Sequence, residues 1–238
     1  MRLLVDAGNT RIKWALTRGD EWLCSGALPT GRAAELSAQF AGSAISEAWA
    51  SNVAGAAVEQ SLRQAVAADA WHFVAARERQ CGVRNGYEQP TQLGSDRWAA
   101  LISAWDMVGG RCLVVNCGTA TTVDALSDTG EFVGGLILPG IELMQRSLCG
   151  ATAQLVARQG KYAALPRNTA DAMYSGAVQA VCGAIERQHA LLDAADAPVV
   201  LSGGAAGILR ERLKLPLRLE DNLVLQGLWL IARETNAC

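Results

Sequence analysis

The sequence lacks the features that mark several large classes of protein. It contains 21 Lys and Arg against 23 Asp and Glu, so its net charge is −2 and it has no basic excess to neutralise a nucleic-acid backbone. Its most apolar stretch, residues 132–141, is too short to span a bilayer and is interrupted by glycine and proline. We therefore expect neither a nucleic-acid partner nor a membrane partner.

Signatures of metal binding and of nucleophilic catalysis are also missing. None of the seven cysteines pairs with another at the two-residue gap of zinc and redox motifs, so we expect small core residues in a reducing compartment. The first residues, MRLLVDAGNT, lack the apolar run of a secretory signal, which predicts a cytoplasmic location. The two histidines, His72 and His189, form no Ser-His-Asp pattern and are expected to be structural.

The chain does contain an internal repeat. Residues 3–24 align without a gap with residues 113–134, and Gly8 and Gly118 occupy matching turns. In each copy an apolar run, a glycine turn and two further extended segments predict a three-stranded meander. Duplication accounts for the matched turn spacing, while chance similarity between two segments rich in Ala and Leu stays open.

After each meander, helical spacing alternates with short strands. Asn168 or Thr169 begins a long helix, and residues 221–235 form a closing amphipathic helix. Half of the residues are apolar, which is ample for packed cores. The pattern predicts an α/β fold of two similar domains, residues 1–110 and 111–238.

The first glycine turn follows directly on a buried strand. The small residues after Asp6 let a phosphate approach the backbone N–H groups, and a carboxylate at the strand end suits Mg²⁺. Lys13, on the next strand, is placed to neutralise charge on a transferred phosphate. An ordinary hairpin in which Asn9 supplies the turn geometry accounts for the same residues.

The second copy is not equivalent to the first. It has Asn116 in place of the carboxylate and Val123 in place of the lysine, so it offers hydroxyl groups, chiefly those of Thr119 and Thr121. A nucleotide's phosphates would then lie between two facing turns. A third glycine turn, residues 202–204, is suited either to a nucleoside or simply to close packing of a helix on the sheet.

A further carboxylate stands at the start of a helix, in the segment GSDRWAA. Asp96 falls in the first turn, where the helix dipole favours the ionised form that a general base requires. The adjacent Arg97 is suited to bind a substrate carboxylate. A normal helix start with Ser95 or Asp96 as the cap explains the segment equally well.

Taken in order, these segments resemble the type III pantothenate kinases, which belong to the acetate kinase, sugar kinase, Hsp70 and actin superfamily. The resemblance extends over nearly the full length and implies two ribonuclease H-like, or actin-like ATPase, domains, each a mixed sheet with flanking helices. The same family includes proteins described as accessory factors for virulence gene expression. The segments that carry the resemblance are DAGNTRIKW at 6–14, Tyr87 with LGSDRWAA at 93–100, CGTATTVD at 117–124, GGLILPGIELMQRSL at 134–148, NTADAMYSGA at 168–177 and LSGG at 201–204.

The resemblance implies ATP-dependent phosphorylation of the primary hydroxyl of pantothenate, the first step toward coenzyme A, with Asp96 as general base and Asp6 positioning Mg²⁺. It implies contacts with ATP from one set of residues and contacts with pantothenate from another. The ATP set is Asp6, Ala7, Gly8, Asn9, Thr10, Arg11, Ile12, Lys13 and Thr119, and the pantothenate set is Tyr87, Gly94, Ser95, Asp96, Arg97 and Thr169.

The resemblance also implies a homodimer and a monovalent cation, K⁺ or NH₄⁺. Most of the family has an aspartate where this chain has Asn116, so cation affinity should fall and potassium activation is doubtful. Two alternatives stay open from the residues: a nucleotide-binding regulator or accessory protein of the same fold, and a superfamily kinase or phosphatase acting on another small molecule.

Overall fold

The computed structural model describes residues 1–40, 42–151 and 158–237. The chain divides into two compact units, the first formed by Met1–Met107 with Asn222–Cys238 and the second by Val108–Asp221. This division differs from the predicted domains, residues 1–110 and 111–238, in the placement of the closing helix, which packs on the first unit. No helix within the described ranges is long and apolar enough to cross a membrane.

The first unit is built on a mixed sheet of five strands. Short 3₁₀ turns occupy Thr30–Phe40. The other elements are β1 (Arg2–Ala7), β2 (Arg11–Arg18), β3 (Glu21–Pro29), β4 (Ile45–Asn52), α1 (Ala56–Ala65), β5 (Ala68–Phe73), β6 (Arg79–Gln80), β7 (Val83–Asn85) and α2 (Ser95–Val108). The strand order is β3-β2-β1-β4-β5, with β1 to β3 antiparallel and β4 and β5 parallel to β1. The first predicted meander is therefore confirmed.

The second unit repeats this plan. Its elements are β8 (Cys112–Cys117), β9 (Ala120–Leu126), β10 (Glu131–Pro139), α3 (Ile141–Ala151), α4 (Thr169–Leu191), β11 (Val199–Ser202), α5 (Ala206–Arg210) and β12 (Leu217–Leu219). Its strands run in the order β10-β9-β8-β11-β12, with the first three antiparallel and the last two parallel to β8. The shared topology confirms the predicted α/β fold of two similar domains, each a mixed sheet with flanking helices.

The strand register corrects the alignment of the two copies. In the first unit Asp6 pairs with Lys13, whereas in the second Asn116 pairs with Thr122. The second turn is therefore one residue shorter, and a gapless alignment slips by one residue after it. The structural counterpart of Lys13 is Thr122, and the sequence comparison with Val123 was wrong.

The last helix, α6 (Leu223–Ala237), lies on the same sheet as the amino-terminal strands and packs against β1, β2 and β4. It also crosses α2 closely: a Cβ atom added at Gly227 would lie 1.9 Å from the carbonyl oxygen of Ala99. The opposite face of the sheet carries a separate core around Leu3, Val5 and Trp14. The sheet of the first unit is thus covered on both faces.

The structure describes six of the cysteines and both histidines. The six cysteines whose state is described are free thiols; burial raises the pKa of the Cys117 thiol to about 12, which leaves it unreactive at neutral pH. Cys24, by contrast, is exposed and is not the core residue we expected. His189 is buried with its Nε2 2.8 Å from a backbone carbonyl, and His72 stacks on a tryptophan ring.

Candidate active site

The candidate site begins at the carboxyl end of β1, where Asp6 lies between two polar residues on neighbouring strands. Asp6 pairs in register with Lys13 on the antiparallel strand β2 and with Ser51 on the parallel strand β4. Residues paired across adjacent strands project from the same face of a sheet. The three side chains therefore form one polar row on a sheet whose remaining positions are largely apolar.

The start of α2 presents a second carboxylate to this row. The carbonyl of Gly94 accepts the first helical hydrogen bond, from the Trp98 N–H at 2.9 Å, which makes Gly94 the N-cap residue. The Oδ1 of Asp96 folds back and accepts a hydrogen bond of 2.8 Å from the Arg97 N–H. A Cβ atom at Gly94 would lie 2.6 Å from that oxygen, so this carboxylate orientation requires glycine at position 94.

The two carboxylates form one electrostatic cluster. The pKa of Asp6 is raised to about 7, first by burial and second by the negative charge of Asp96, while the Lys13 ammonium opposes both effects. Asp6 and Asp96 are therefore near each other within the first unit and do not lie on opposite surfaces. Two acidic groups with so little compensating charge favour binding of a cation beside Asp6.

The glycine turn after β1 is partly closed by its own hydrogen bonds. The Gly8 N–H donates to the Arg11 carbonyl at 3.1 Å, and the Gly8 carbonyl accepts from the Thr30 hydroxyl at 2.6 Å. The Gly8 amide is thus already satisfied, and Asn9 and Thr10 are the exposed residues at the tip. Ala7 and Ile12 are fully buried in the core, which leaves neither residue an exposed surface for the predicted ligand.

A loop carrying Tyr87 lies against α2. The guanidinium of Arg97, a residue only 5% exposed, donates to the Tyr87 hydroxyl at 2.8 Å and lies over the ring. The loop is closed by Asn85, whose Oδ1 accepts from the Tyr87 N–H at 3.1 Å and whose Nδ2 donates to the Pro90 carbonyl at 3.1 Å. The predicted substrate residues Tyr87, Gly94, Ser95, Asp96 and Arg97 thus form one continuous group.

The remaining predicted residues belong to the second unit. Asn116 is on β8 and Thr119 is exposed in the turn that follows, whereas Thr121, the other expected hydroxyl, is buried. Thr169 is the first residue of α4, and its neighbour Asn168 is the cap, accepting from the Asp171 N–H at 3.0 Å. The Asn168 side chain and the Lys161 N–H both donate to Asp171, and these bonds lower the pKa of its carboxyl.

Sequence reasoning missed two residues of the site, Ser51 and Asn85. The Oγ of Ser51 lies 2.8 Å from the Oγ of Ser95 and shares a hydrogen bond with it, and Ser51 is fully buried. The available signal was a serine after a short apolar run near the end of a strand, in the segment AWASN. That signal gains meaning only when β4 is known to lie beside β1.

Comparisons with known proteins identify the family of this chain. The family model for type III pantothenate kinase matches residues 2–190. The type III pantothenate kinase of Aromatoleum aromaticum is 49% identical and is covered completely by this chain, and that of Nitrosospira multiformis is 49% identical over 98% of this chain and 92% of its own length. Component A of the (R)-2-hydroxyglutaryl-CoA dehydratase of Acidaminococcus fermentans, at 14% identity, shares the fold with a TM-score of 0.58 over 100% of this chain and 99% of that one. The chain belongs to the type III pantothenate kinase family.

Proposed function

We propose that this chain transfers the terminal phosphoryl group of ATP to the primary hydroxyl of pantothenate, with Asp96 as general base. One observation carries the proposal. Asp6, which pairs with Lys13 at the end of β1, lies close enough to Asp96 at the start of α2 for the two carboxylates to interact electrostatically. The relatives are named for pantothenate kinase activity, and none of these observations favours the regulatory alternative.

Asp96 is proposed to accept the proton of the attacking hydroxyl. Its carboxylate is oriented by the Arg97 N–H, which leaves the second oxygen for the substrate. The proton moves to Asp96 as the substrate oxygen bonds to the terminal phosphorus of ATP. The bond between that phosphorus and the oxygen of the leaving ADP breaks at the same time. Alignment and charge neutralisation provide most of the rate enhancement in such transfers, and Lys13 supplies a positive charge beside Asp6.

The residues present fit a magnesium ion at Asp6. The raised pKa of Asp6 reflects burial first and the negative charge of Asp96 second, and a divalent cation beside the carboxylate would offset both effects. No cluster of three or more His, Cys, Asp or Glu that suits a metal occurs in the described ranges, and Mg²⁺ in kinases commonly uses one or two carboxylates with water and phosphate oxygens. Bound there with ATP, Mg²⁺ would neutralise phosphate charge.

Pantothenate is proposed to bind along the group formed by Tyr87 and the start of α2. The buried Arg97 guanidinium suits the carboxylate of pantothenate, and Tyr87 holds it in place. Gly94 and Ser95 would line the same region. From the second unit, we propose that Thr119 contacts ATP and Thr169 contacts pantothenate.

We also propose that the protein is a cytoplasmic homodimer. Free thiols at all six described cysteines suit a reducing compartment. Strand β10 exposes Val133 at 55% and Ile137 at 65%, and exposed apolar side chains grouped on one strand suit an interface between subunits. For the monovalent cation, we propose weak binding, because the amide of Asn116 brings no negative charge.

An assay of ADP release tests the activity directly. Purified protein is mixed with pantothenate and Mg-ATP in the presence of K⁺ or NH₄⁺, and pantothenate-dependent ADP release is expected. We expect Asp96→Asn to lower kcat by about 10²–10⁴-fold, since general-base catalysis contributes on that scale. Asp106→Asn, an exposed aspartate on the same helix, is the matched control and should leave kcat unchanged. Absence of turnover by the unmodified chain with either cation would refute the activity.

A further inference from the structure

Ser51 is a buried polar residue that the proposed chemistry does not use. It is fully buried on β4, in register beside Asp6, and its Oγ lies 2.8 Å from the Oγ of Ser95. Ser95 is the first residue of α2 and directly precedes Asp96. One hydrogen bond thus joins the strand that neighbours Asp6 to the helix turn that carries Asp96.

We propose that Ser51 is a positioning residue for the phosphoryl transfer, acting through Ser95 to hold Asp96 in place relative to Asp6. The inference rests on the proposed function, because it assumes that Asp96 is the base. It assigns Ser51 no contact with either substrate.

The physical argument is the difference between directional and non-directional contacts. Two other side-chain hydrogen bonds in the first half of α2, from Arg97 to Tyr87 and from Trp98 to Gln80, lead to a loop and to the short strand β6 and not to β4. The rest of the burial of this half is largely apolar packing, which tolerates small shifts along the helix axis. A hydrogen bond between hydroxyls weakens steeply beyond about 3 Å, so the Ser51 bond fixes the helix start along that axis. Displacements of about 1 Å in a catalytic group are enough to lower rates by up to about 10²-fold.

The chain offers a matched control in the same helix. Ser103 is 1% exposed, and its hydroxyl donates to the Oε1 of Gln226 at 3.2 Å, away from the start of α2. Ser51→Ala and Ser103→Ala each remove one buried serine hydroxyl that bonds between elements. A general loss of stability affects both variants, whereas a displaced Asp96 affects only the first.

The test compares steady-state kinetics of the two variants with the unmodified chain, with pantothenate and Mg-ATP, well below each melting temperature. We expect Ser51→Ala to lower kcat by about 10-fold or more with little change in the KM for ATP, and Ser103→Ala to keep kcat. Since Ser51 acts through Ser95, the double variant Ser51→Ala/Ser95→Ala should lower kcat no further than the more damaging single change.

Several results would overturn the proposal. The positioning role is refuted if Ser51→Ala has the same kcat as the unmodified chain or as Ser103→Ala. It is also refuted if Ser51→Ala loses kcat and ATP affinity to the same extent. If Ser51→Ala does not fold, Ser51→Cys fills similar space with only a weak donor and should give the same kcat loss. Failure of the proposed function is seen separately, as absence of pantothenate-dependent ADP release by the unmodified chain.

Discussion

Replacing Asp6 by asparagine should stabilise the protein in the absence of nucleotide and metal while abolishing its turnover. The pKa of Asp6 is raised from 3.8 to about 7, so between these values the folded chain holds a proton that the unfolded chain has lost. Stability contributed by that proton falls as pH rises from about 4 to 7, and above 7 the folded state carries the full cost of an ionised carboxylate. Asparagine removes that cost.

The magnitude follows from the shift. The two pKa values of Asp6 differ by about 3, and at 1.36 kcal/mol for each pKa unit this gives a cost of about 4 kcal/mol. Because Asp6 is partly exposed and water reaches it, we expect the cost to be about 2–4 kcal/mol. For a chain of this size that corresponds to a rise in Tm of roughly 4–16 °C at pH 8. At pH 4 the two proteins should melt at nearly the same temperature, because Asp6 is then largely protonated in the folded state.

The assay is thermal unfolding at pH 4, 6 and 8 in the presence of EDTA and without nucleotide. Asp69→Asn, at an exposed aspartate of β5, is the control and should show no comparable pH-dependent gain. A Tm for Asp6→Asn at pH 8 that equals or falls below that of the unmodified chain would refute the electrostatic reasoning. Retention of turnover by the same variant would instead remove Asp6 from the proposed magnesium site.

Three further predictions concern the helix start, the cation and the interface. Gly94→Ala places a Cβ atom 2.6 Å from the Asp96 carboxylate, so kcat should fall by about 10-fold or more in the ADP-release assay; an unchanged kcat would show that the orientation of Asp96 is unimportant. Asn116→Asp should increase activation of turnover by K⁺, measured as rate against K⁺ concentration, whereas an identical K⁺ response in both proteins counts against a cation at this position. Ile137→Asp, on the exposed face of β10, should shift the mass measured by light scattering from dimer to monomer; a dimer that persists in this variant would place the interface elsewhere.

The sequence was most informative about elements whose signals are local. Both meanders and the start of the long helix at Asn168 or Thr169 follow from turn residues and apolar spacing, and the structure places all of them close to the predicted limits. The domain to which α6 belongs was not predictable in this way. Gly227 permits the close crossing with α2, but a glycine inside a helix does not identify the backbone that lies against it.

In the candidate site too, residues with local sequence signals were predictable and residues that depend on distant contacts were not. Asp6, Lys13 and Asp96 could be proposed from the sequence because a carboxylate at a strand end, a lysine on the next strand and a carboxylate in the first turn of a helix suit phosphoryl transfer. Ser51 was not found because its importance depends on two contacts with residues distant in sequence, the pairing with Asp6 and the bond to Ser95. The hydrogen bond from the Gly8 N–H to the Arg11 carbonyl was likewise not predictable, since it depends on the turn geometry.

The corrected register shows how the two units differ in chemistry. At the position of Asp6 the second unit has Asn116, and opposite it Thr122 replaces Lys13, while the parallel neighbour is a serine in both units, Ser51 in the first and Ser202 in the second. The repeated fold therefore retains a polar residue at each of these positions and places both charges in the first unit. Asp6 and Lys13 thus give the first unit the two charged groups to which the proposed function assigns Mg²⁺ and phosphate, whereas the second unit is limited at these positions to neutral hydrogen bonds.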